Sequence, residues 1–356
     1  MIGSMRRRQH VRYVKASDGA RLAWADAGAG PTVVKAANWL THLEYEWDSP
    51  VWKHWLQFFS THWRFVRYDE RGCGMSEWQA EGTLSLDQWS ADLGSIIDAA
   101  APSGPVTLLG ISQGAATCIH YAIRHPERVT RLILYGGYAH GAFKRPTATE
   151  YRAMIDLARA AWGKDNPTFR QIFTSRFIPG GSPEQLKWFN DLCLKTTTGE
   201  IVAALLEARA VIDITESLAE VRAPTLVLHA RNDEVIPVAE GRLLASGIPG
   251  AEFVEVDSRN HILLQGEPAW ERFREAVLSF LHPDAATTGS AFEALSARER
   301  QVLALMTDGL SNADIASRME ISEKTVRNHA SNLFDKLGVW SRAQAIVFAR
   351  DRGFRR

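Results

Sequence analysis

The chain has 356 residues, a length that predicts about two domains, with 46% hydrophobic and 23% charged residues and no formal net charge. This is the composition of a soluble globular protein, and no apolar run reaches the roughly 20 residues that a membrane span requires. The charge is uneven: from Ser290 to Arg356 there are 11 Lys+Arg against 8 Asp+Glu, a net +3 that leaves −3 on the rest, so the tail is the part suited to a polyanion.

Cys73, Cys118 and Cys193 are odd in number and lack metal-type spacing, which predicts neither a disulfide framework nor a zinc site and fits a reducing cytoplasm. The opening MIGSMRRRQH is basic but has no apolar run after it, so it does not read as a secretory signal, and Arg6-Arg7-Arg8 reads as a solvated end.

After Val11 the chain reads as two strands around the turn Ser17-Asp18-Gly19. Apolar β-rich runs then alternate with helical patterns. Thr32-Val33-Val34 is a strand, Val51 to Phe59 has helical spacing, and Arg64 to Tyr68 is a strand. Ser85 to Ala100 is a helix opened by the capping-box pattern Ser85-Leu86-Asp87-Gln88. Val106 to Ile111 is a strand and Gln113 to Arg124 a helix. Leu132 to Tyr135, Thr225 to Leu228 and Glu252 to Val256 are strands, and Glu267 to Leu281 is a closing helix. Short apolar strands alternating with helices predict a mostly parallel sheet covered on both faces.

Between Gly137 and Val221 the alternation gives way to helical patterns, broken at Pro167 and at Pro179-Gly180-Gly181. An insertion placed there predicts a lid over a pocket; the alternative is that these helices extend the core. Residues 283–291, short, small and polar, read as a linker between a domain of residues 1–282 and an all-helical domain of residues 292–356.

Within this framework Gly110-Ile111-Ser112-Gln113-Gly114 stands between a strand and a helix. A serine hydroxyl is a poor nucleophile until a base takes its proton and a third group holds that base. On a tight strand-to-helix elbow the flanking glycines avoid a Cβ clash, and the helix N-terminus offers free N–H groups to a developing oxyanion. The partners should follow as acid, then histidine. Asp233 lies just past one strand and His261 just past the last, at carboxyl ends where open α/β sheets keep their sites. Glu234 competes with Asp233; the shorter arm of aspartate suits a tight turn and favours Asp233.

Residues from about 11 to 282 therefore resemble the α/β-hydrolase superfamily. Asp69-Glu-Arg71-Gly72-Cys-Gly74-Met-Ser76, His125-Pro126-Glu127-Arg128-Val129 and Asp233-Glu-Val-Ile-Pro237 extend the likeness. The resemblance implies Ser112, Asp233 and His261 as catalytic residues and makes Asp69 to Ser76 a structural turn. Where the family has His-Gly-x after its third strand, this chain has Ala37-Asn38-Trp39, which makes the backbone N–H groups of Trp39 and Gln113 the oxyanion-hole donors. A serine nucleophile argues against dehalogenase and epoxide-hydrolase chemistry and leaves esters, lactones, thioesters or activated C–C bonds. Trp39, Trp47, Trp52, Trp55 and Trp63 crowd one stretch; some belong to the core and the rest predict a largely apolar pocket. No phosphate loop or metal cluster accompanies them, so no cofactor is expected.

In the tail, Leu295-Ser-Ala-Arg-Glu299 is a capping box, Val302, Leu303, Leu305 and Met306 give an apolar face, and Gly309 stops the helix. Ser311 caps a short second helix with Ile315, Ala316 and Met319 facing in. Ile321-Ser322 starts a third, and Ser341-Arg-Ala-Gln344 opens a fourth. In the third, Val326, Ala330, Leu333 and Leu337 form a core stripe. Lys324, Arg327, Asn328 and Ser331 occupy another face, either a solvated surface or one suited to base edges and phosphates.

Leu295 to Gly353 closely resembles the LuxR-type helix-turn-helix. The resemblance implies double-stranded DNA as partner, with Arg327, Asn328 and Ser331 approaching bases and Lys324, Thr325, His329, Lys336 and Arg342 as phosphate contacts or framework. It also implies a homodimer, for which Ala345, Ile346, Val347 and Phe348 offer either the dimer surface or core packing.

The two halves together resemble bacterial regulators that fuse the two domains. The expectation is a cytoplasmic, ligand-responsive transcriptional regulator whose hydrolase-type pocket takes a small, largely apolar organic effector and is able to hydrolyse it. The other reading is a serine ester or lactone hydrolase with the DNA-binding domain as an accessory.

Overall fold

The computed structural model describes residues 9–78, 84–164, 168–282, 292, 295–351 and 354. Arg6-Arg7-Arg8, Pro167 and the linker expected at 283–291 lie outside them. The chain divides into two compact units, residues 1–277 and 278–356. None of the helices among the described residues is long and apolar enough to cross a membrane.

The first unit is an α/β-hydrolase fold. It is built on an eight-stranded sheet: β1 (His10–Lys15), β2 (Arg21–Ala27), β3 (Thr32–Lys35), β4 (Arg64–Tyr68), β5 (Val106–Ile111), β6 (Val129–Tyr135), β7 (Thr225–Ala230) and β8 (Glu252–Val256). Their spatial order is β1-β2-β4-β3-β5-β6-β7-β8. β2 runs antiparallel to β1 and β4, and all other neighbours are parallel. The β1–β2 hairpin turns at Gly19, whose φ of 92° suits glycine, while Asp18 Oδ1 accepts the Ala20 N–H at 3.1 Å. β7 is buried along its whole length and reads Thr-Leu-Val-Leu-His-Ala without alternation, as a strand covered on both faces must.

Helices α1 (Leu43–Trp47), α2 (Lys53–His62), α3 (Leu86–Ala100) and α4 (Gly114–Arg124) precede β6. Between β6 and β7 come α5 (Ala148–Ala161), α6 (Thr168–Phe177), α7 (Pro183–Thr196) and α8 (Gly199–Ala210), the expected helical insertion. α9 (Val238–Gly247) and α10 (Pro268–Leu281) follow β7 and β8.

The expected capping box of α3 forms only by half. Ser85 Oγ accepts the Gln88 N–H at 3.2 Å, but the Gln88 side chain donates to Asp92 at 3.1 Å. Asp92, a carboxylate held by Arg71 through two nitrogens at 2.6 and 2.7 Å, draws the Gln88 amide toward itself and away from the Ser85 N–H that a full capping box would pair with the Gln88 side-chain oxygen.

In the second unit, α11 (Ala297–Thr307), α12 (Asn312–Met319), α13 (Glu323–Leu337) and α14 (Arg342–Asp351) surround one core. Val302, Leu303, Met306, Ile315, Val326, Leu333 and Ala345 are essentially inaccessible, at about 1.5–3 kcal/mol for each large aliphatic side chain. Reciprocal capping boxes open α11 (Ser296 with Glu299) and α12 (Ser311 with Asp314). Ser341 Oγ accepts the Gln344 N–H at 3.2 Å, whereas Gln344 Oε1 accepts from Trp340 rather than from Ser341. The α12–α13 turn places Glu320 in the left-handed region, φ 53°, and α13 ends on Gly338 at φ 67°.

Candidate active site and nucleic-acid interface

Ser112 sits between β5 and α4 with φ 55°, a strained conformation for a residue with a Cβ. Its N–H is fixed to the Tyr135 carbonyl at 2.9 Å. Space excludes a side chain at Gly110 and leaves little room for one at Gly114. A Cβ on Gly110 would lie 2.6 Å from Ala115 Cα, and one on Gly114 would lie 3.2 Å from the Ala37 carbonyl oxygen. The strain is thus held by packing from both sides.

Asp233 and His261 come together from the ends of β7 and β8. His261 Nδ1 donates to Asp233 Oδ2 at 2.6 Å. Asp233 Oδ1 accepts the Val235 and Ile236 N–H groups at 2.8 and 2.9 Å, the tight turn an aspartate arm reaches. Burial acts to raise the Asp233 pKa, but the His261 ring, His229 and these N–H donors outweigh it and hold it below the ordinary carboxylate range. Glu234, the competing acid, points elsewhere and pairs with Arg259.

The loop that carries His261 is anchored on several sides. His261 and Ile262 N–H groups donate to the Phe177 carbonyl at 2.9 and 3.2 Å, and Trp55 Nε1 donates to the Leu263 carbonyl at 2.9 Å. His261 Nε2 is buried and has no hydrogen-bond partner, so the imidazole is oriented by Asp233 with its other nitrogen free.

A partly open cavity of about 300 Å³ reaches Ser112, Gln113 and Trp39. Its remaining wall comes largely from the insertion, including Tyr151, Met154, Phe173, Phe177 and Leu206. These helices therefore cover the site as a lid. Trp39 stacks on Phe173 and Phe177, with centroids 6.0 and 6.2 Å apart. Among the described residues the Trp39 and Gln113 N–H groups meet no protein acceptor, and the residue after Trp39, Leu40, turns at φ 50°.

Of the five clustered tryptophans, only Trp39 lines this cavity. Trp52, Trp55 and Trp63 are buried in the core, and Trp55 packs on Trp270 and Phe273 at 4.8 and 4.6 Å. The cavity is largely apolar, as expected, and Arg145, Glu150, Arg176 and Arg209 line it as well. They stand in the insertion, which carries no motif; the available signal was Arg209 itself, a charged residue in phase with the buried stripe Val202, Leu205, Leu206.

Asp69 is structural. Its Oδ2 accepts the Leu43 and Met75 N–H groups at 3.1 and 2.8 Å, and burial pushes its pKa up to about 6. Among the described residues no group of three or more His, Cys, Asp or Glu side chains could hold a metal ion, and the three cysteines are free and buried.

In the second unit, Lys324, Arg327, Asn328 and Ser331 are exposed on α13, on the side away from its buried stripe. Thr325 is half-buried, and its hydroxyl lies 2.8 Å from that of the N-cap Ser322. Lys336 donates to the buried Glu299 at 2.7 Å, and Arg342 donates to the Leu310 carbonyl and Asn312, so both act within the framework. On α14, Ala345, Ile346 and Phe348 pack in the core, which leaves Val347 exposed.

Residues 54–269 match the family model described as serine aminopeptidase, S33. The chain belongs to the S33 family. Residues 293–349 match the model of bacterial regulatory proteins, luxR family, and form a LuxR-type helix-turn-helix, a DNA-binding module. This S33 family chain is similar to AB hydrolase superfamily protein YisY of Bacillus subtilis, 28% identical over 70% of this chain and 91% of the relative. It is also similar to the pyrrolizixenacetamide deacetylase of Xenorhabdus hominickii, 26% identical over 69% and 90%. Among solved structures, a hydrolase from Pseudomonas aeruginosa PA01 superposes with a TM-score of 0.65 at 25% identity, covering 76% of this chain and 98% of that one. The chain thus fuses a hydrolase-fold unit to a LuxR-type DNA-binding domain.

Proposed function

We propose that the protein is a ligand-responsive transcriptional regulator of the cytoplasm, acting as a homodimer on double-stranded DNA, whose hydrolase-fold domain senses a small organic effector and hydrolyses it. The observation that carries this reading is that one chain joins a LuxR-type domain to a cavity lined by an elbow serine. Residues 1–282 would be the sensing domain, 283–291 the linker and 292–356 the DNA reader. Arg327, Asn328 and Ser331 would meet base edges, with Lys324 and Thr325 on the phosphates.

The chemistry is acyl transfer. Ser112 Oγ attacks the carbonyl carbon as its proton passes to His261 Nε2, and Asp233 stabilises the imidazolium. The Trp39 and Gln113 N–H groups receive the oxyanion. Collapse expels the alcohol or amine with the proton from His261, and water, activated by the same ring, releases the acid and restores Ser112. Effector binding would favour one of two states of the protein through unequal affinity for them, and hydrolysis would end the signal.

Two experiments test the reading on the full chain. Footprinting across DNA upstream of its own locus should show a protected site that Arg327→Ala loses while folding is kept; no specific site, with or without cell extract, would overturn regulation. A fluorophosphonate probe should label wild type and not Ser112→Ala; an unlabelled wild type that also leaves activated esters intact would overturn hydrolysis. With both functions present, Ser112→Ala should prolong the response to a pulse of effector. The pyrrolizixenacetamide deacetylase relative and the Asp233–His261 hydrogen bond favour turnover over a purely passive pocket.

A further inference from the structure

The lining of the cavity is uneven in charge: Arg145, Arg176 and Arg209 stand against one acidic lining residue, Glu150, and Arg209 is already paired with Glu70, which leaves Arg145 and Arg176 as the cations available to a ligand. Arg209 is 3% exposed, among the described residues it pairs only with the buried Glu70, and its guanidinium carbon lies 5.5 Å over the rings of both Trp39 and Trp89. This arrangement holds the group rigidly in a place where a solvated arginine would not remain. Among the described residues neither Arg145 nor Arg176 has a carboxylate within 4.0 Å. Arg145 lies over the Tyr138 ring at 5.2 Å, and Arg176 donates to Met154 Sδ and the Glu234 carbonyl. Ser112 and the aromatic surfaces of Trp39, Phe173 and Phe177 line the same volume.

We infer that the ligand of this cavity is a small amphipathic carboxylate, an acyl compound whose apolar body lies on the Trp39–Phe173–Phe177 stack and whose anionic end is received by Arg145 and Arg176. This rests on the cavity being the effector site, and it replaces a largely apolar effector by an anionic one. Planar, bidentate donors suit a carboxylate, and about 300 Å³ leaves room for a compound of small-metabolite size rather than a nucleotide.

The test is a matched pair of substrates for the full chain: mono-4-nitrophenyl glutarate, and the same molecule with its free acid as the methyl ester. The anion should be preferred in kcat/KM by at least about 10-fold, the scale of one charge-assisted hydrogen bond. That ratio should fall toward one in Arg145→Gln/Arg176→Gln and in high salt. Equal or better use of the neutral diester by wild type would overturn the inference. Turnover failure alone would count against hydrolysis, so binding is read separately by tryptophan fluorescence with monomethyl glutarate against dimethyl glutarate. Saturation by the anion alone supports the inference even without turnover. Preference for the diester, or saturation by neither, overturns it.

Discussion

In the first unit Ser112, Asp233, His261 and Arg209 are each no more than 8% exposed, whereas in the second Lys324, Arg327, Asn328 and Ser331 all stand in solvent on one helix face. The buried set is expensive to hold. It needs a strained elbow, a glycine before it that a Cβ could not replace and a buried Arg209–Glu70 pair. The solvated set needs only a rigid capped helix on a small core, since its polar groups are satisfied by water until an anionic surface replaces it. A site for small-molecule chemistry must be desolvated for its charges to act strongly, while a reader of DNA is already matched to a large, highly charged partner.

The comparison can be broken most sharply at Ser112. Ser112→Ala should lower ester turnover by at least about 10³-fold while leaving the binding of DNA by the second unit intact, as read by stopped assays beside mobility shifts. Loss of both together would mean that the two regions do not divide the work.

Glu70→Gln should destabilise the first unit by about 3–5 kcal/mol, because Arg209 then keeps a buried charge without its partner. Denaturant unfolding followed by the core tryptophans reads this. Asp69 sharpens the same point through pH. Burial raises its pKa to about 6, so the fold prefers it protonated, and that preference is lost as pH rises from its unfolded value through 6. Asp69→Asn should therefore gain on wild type in relative stability between pH 4 and pH 6; a difference flat in pH would remove burial as the cause.

Arg327→Ala should weaken specific DNA binding by about 1–3 kcal/mol with turnover unchanged, measured by titration at fixed salt. The smallest effect belongs to a cap. Ser311→Ala removes the acceptor for the Asp314 N–H at 3.2 Å and should cost the second unit about 1 kcal/mol, seen as a lower thermal midpoint of that unit alone.

Much of this molecule follows from short-range pattern. The strand before Ser112, the glycines around it, the serine caps of α11, α12 and α13, and the Val326–Leu337 stripe are each set by spacing within about a dozen residues, where backbone geometry and side-chain period act directly. The order acid-then-histidine likewise placed Asp233 and His261 at strand ends, where the tertiary structure joins them at 2.6 Å.

What only tertiary structure decided is what fills and lines the cavity. It settled that Trp39 faces the site while Trp52, Trp55 and Trp63 build the core, and that Asp233 rather than Glu234 meets His261. It also placed three insertion arginines in the wall of the cavity that reaches Ser112. The physical reason is distance along the chain: Glu70 and Arg209 meet across 139 residues, and no local period records such a pairing. A cavity is the space left when distant elements pack, so its charge and shape belong to the packed molecule and not to any one segment.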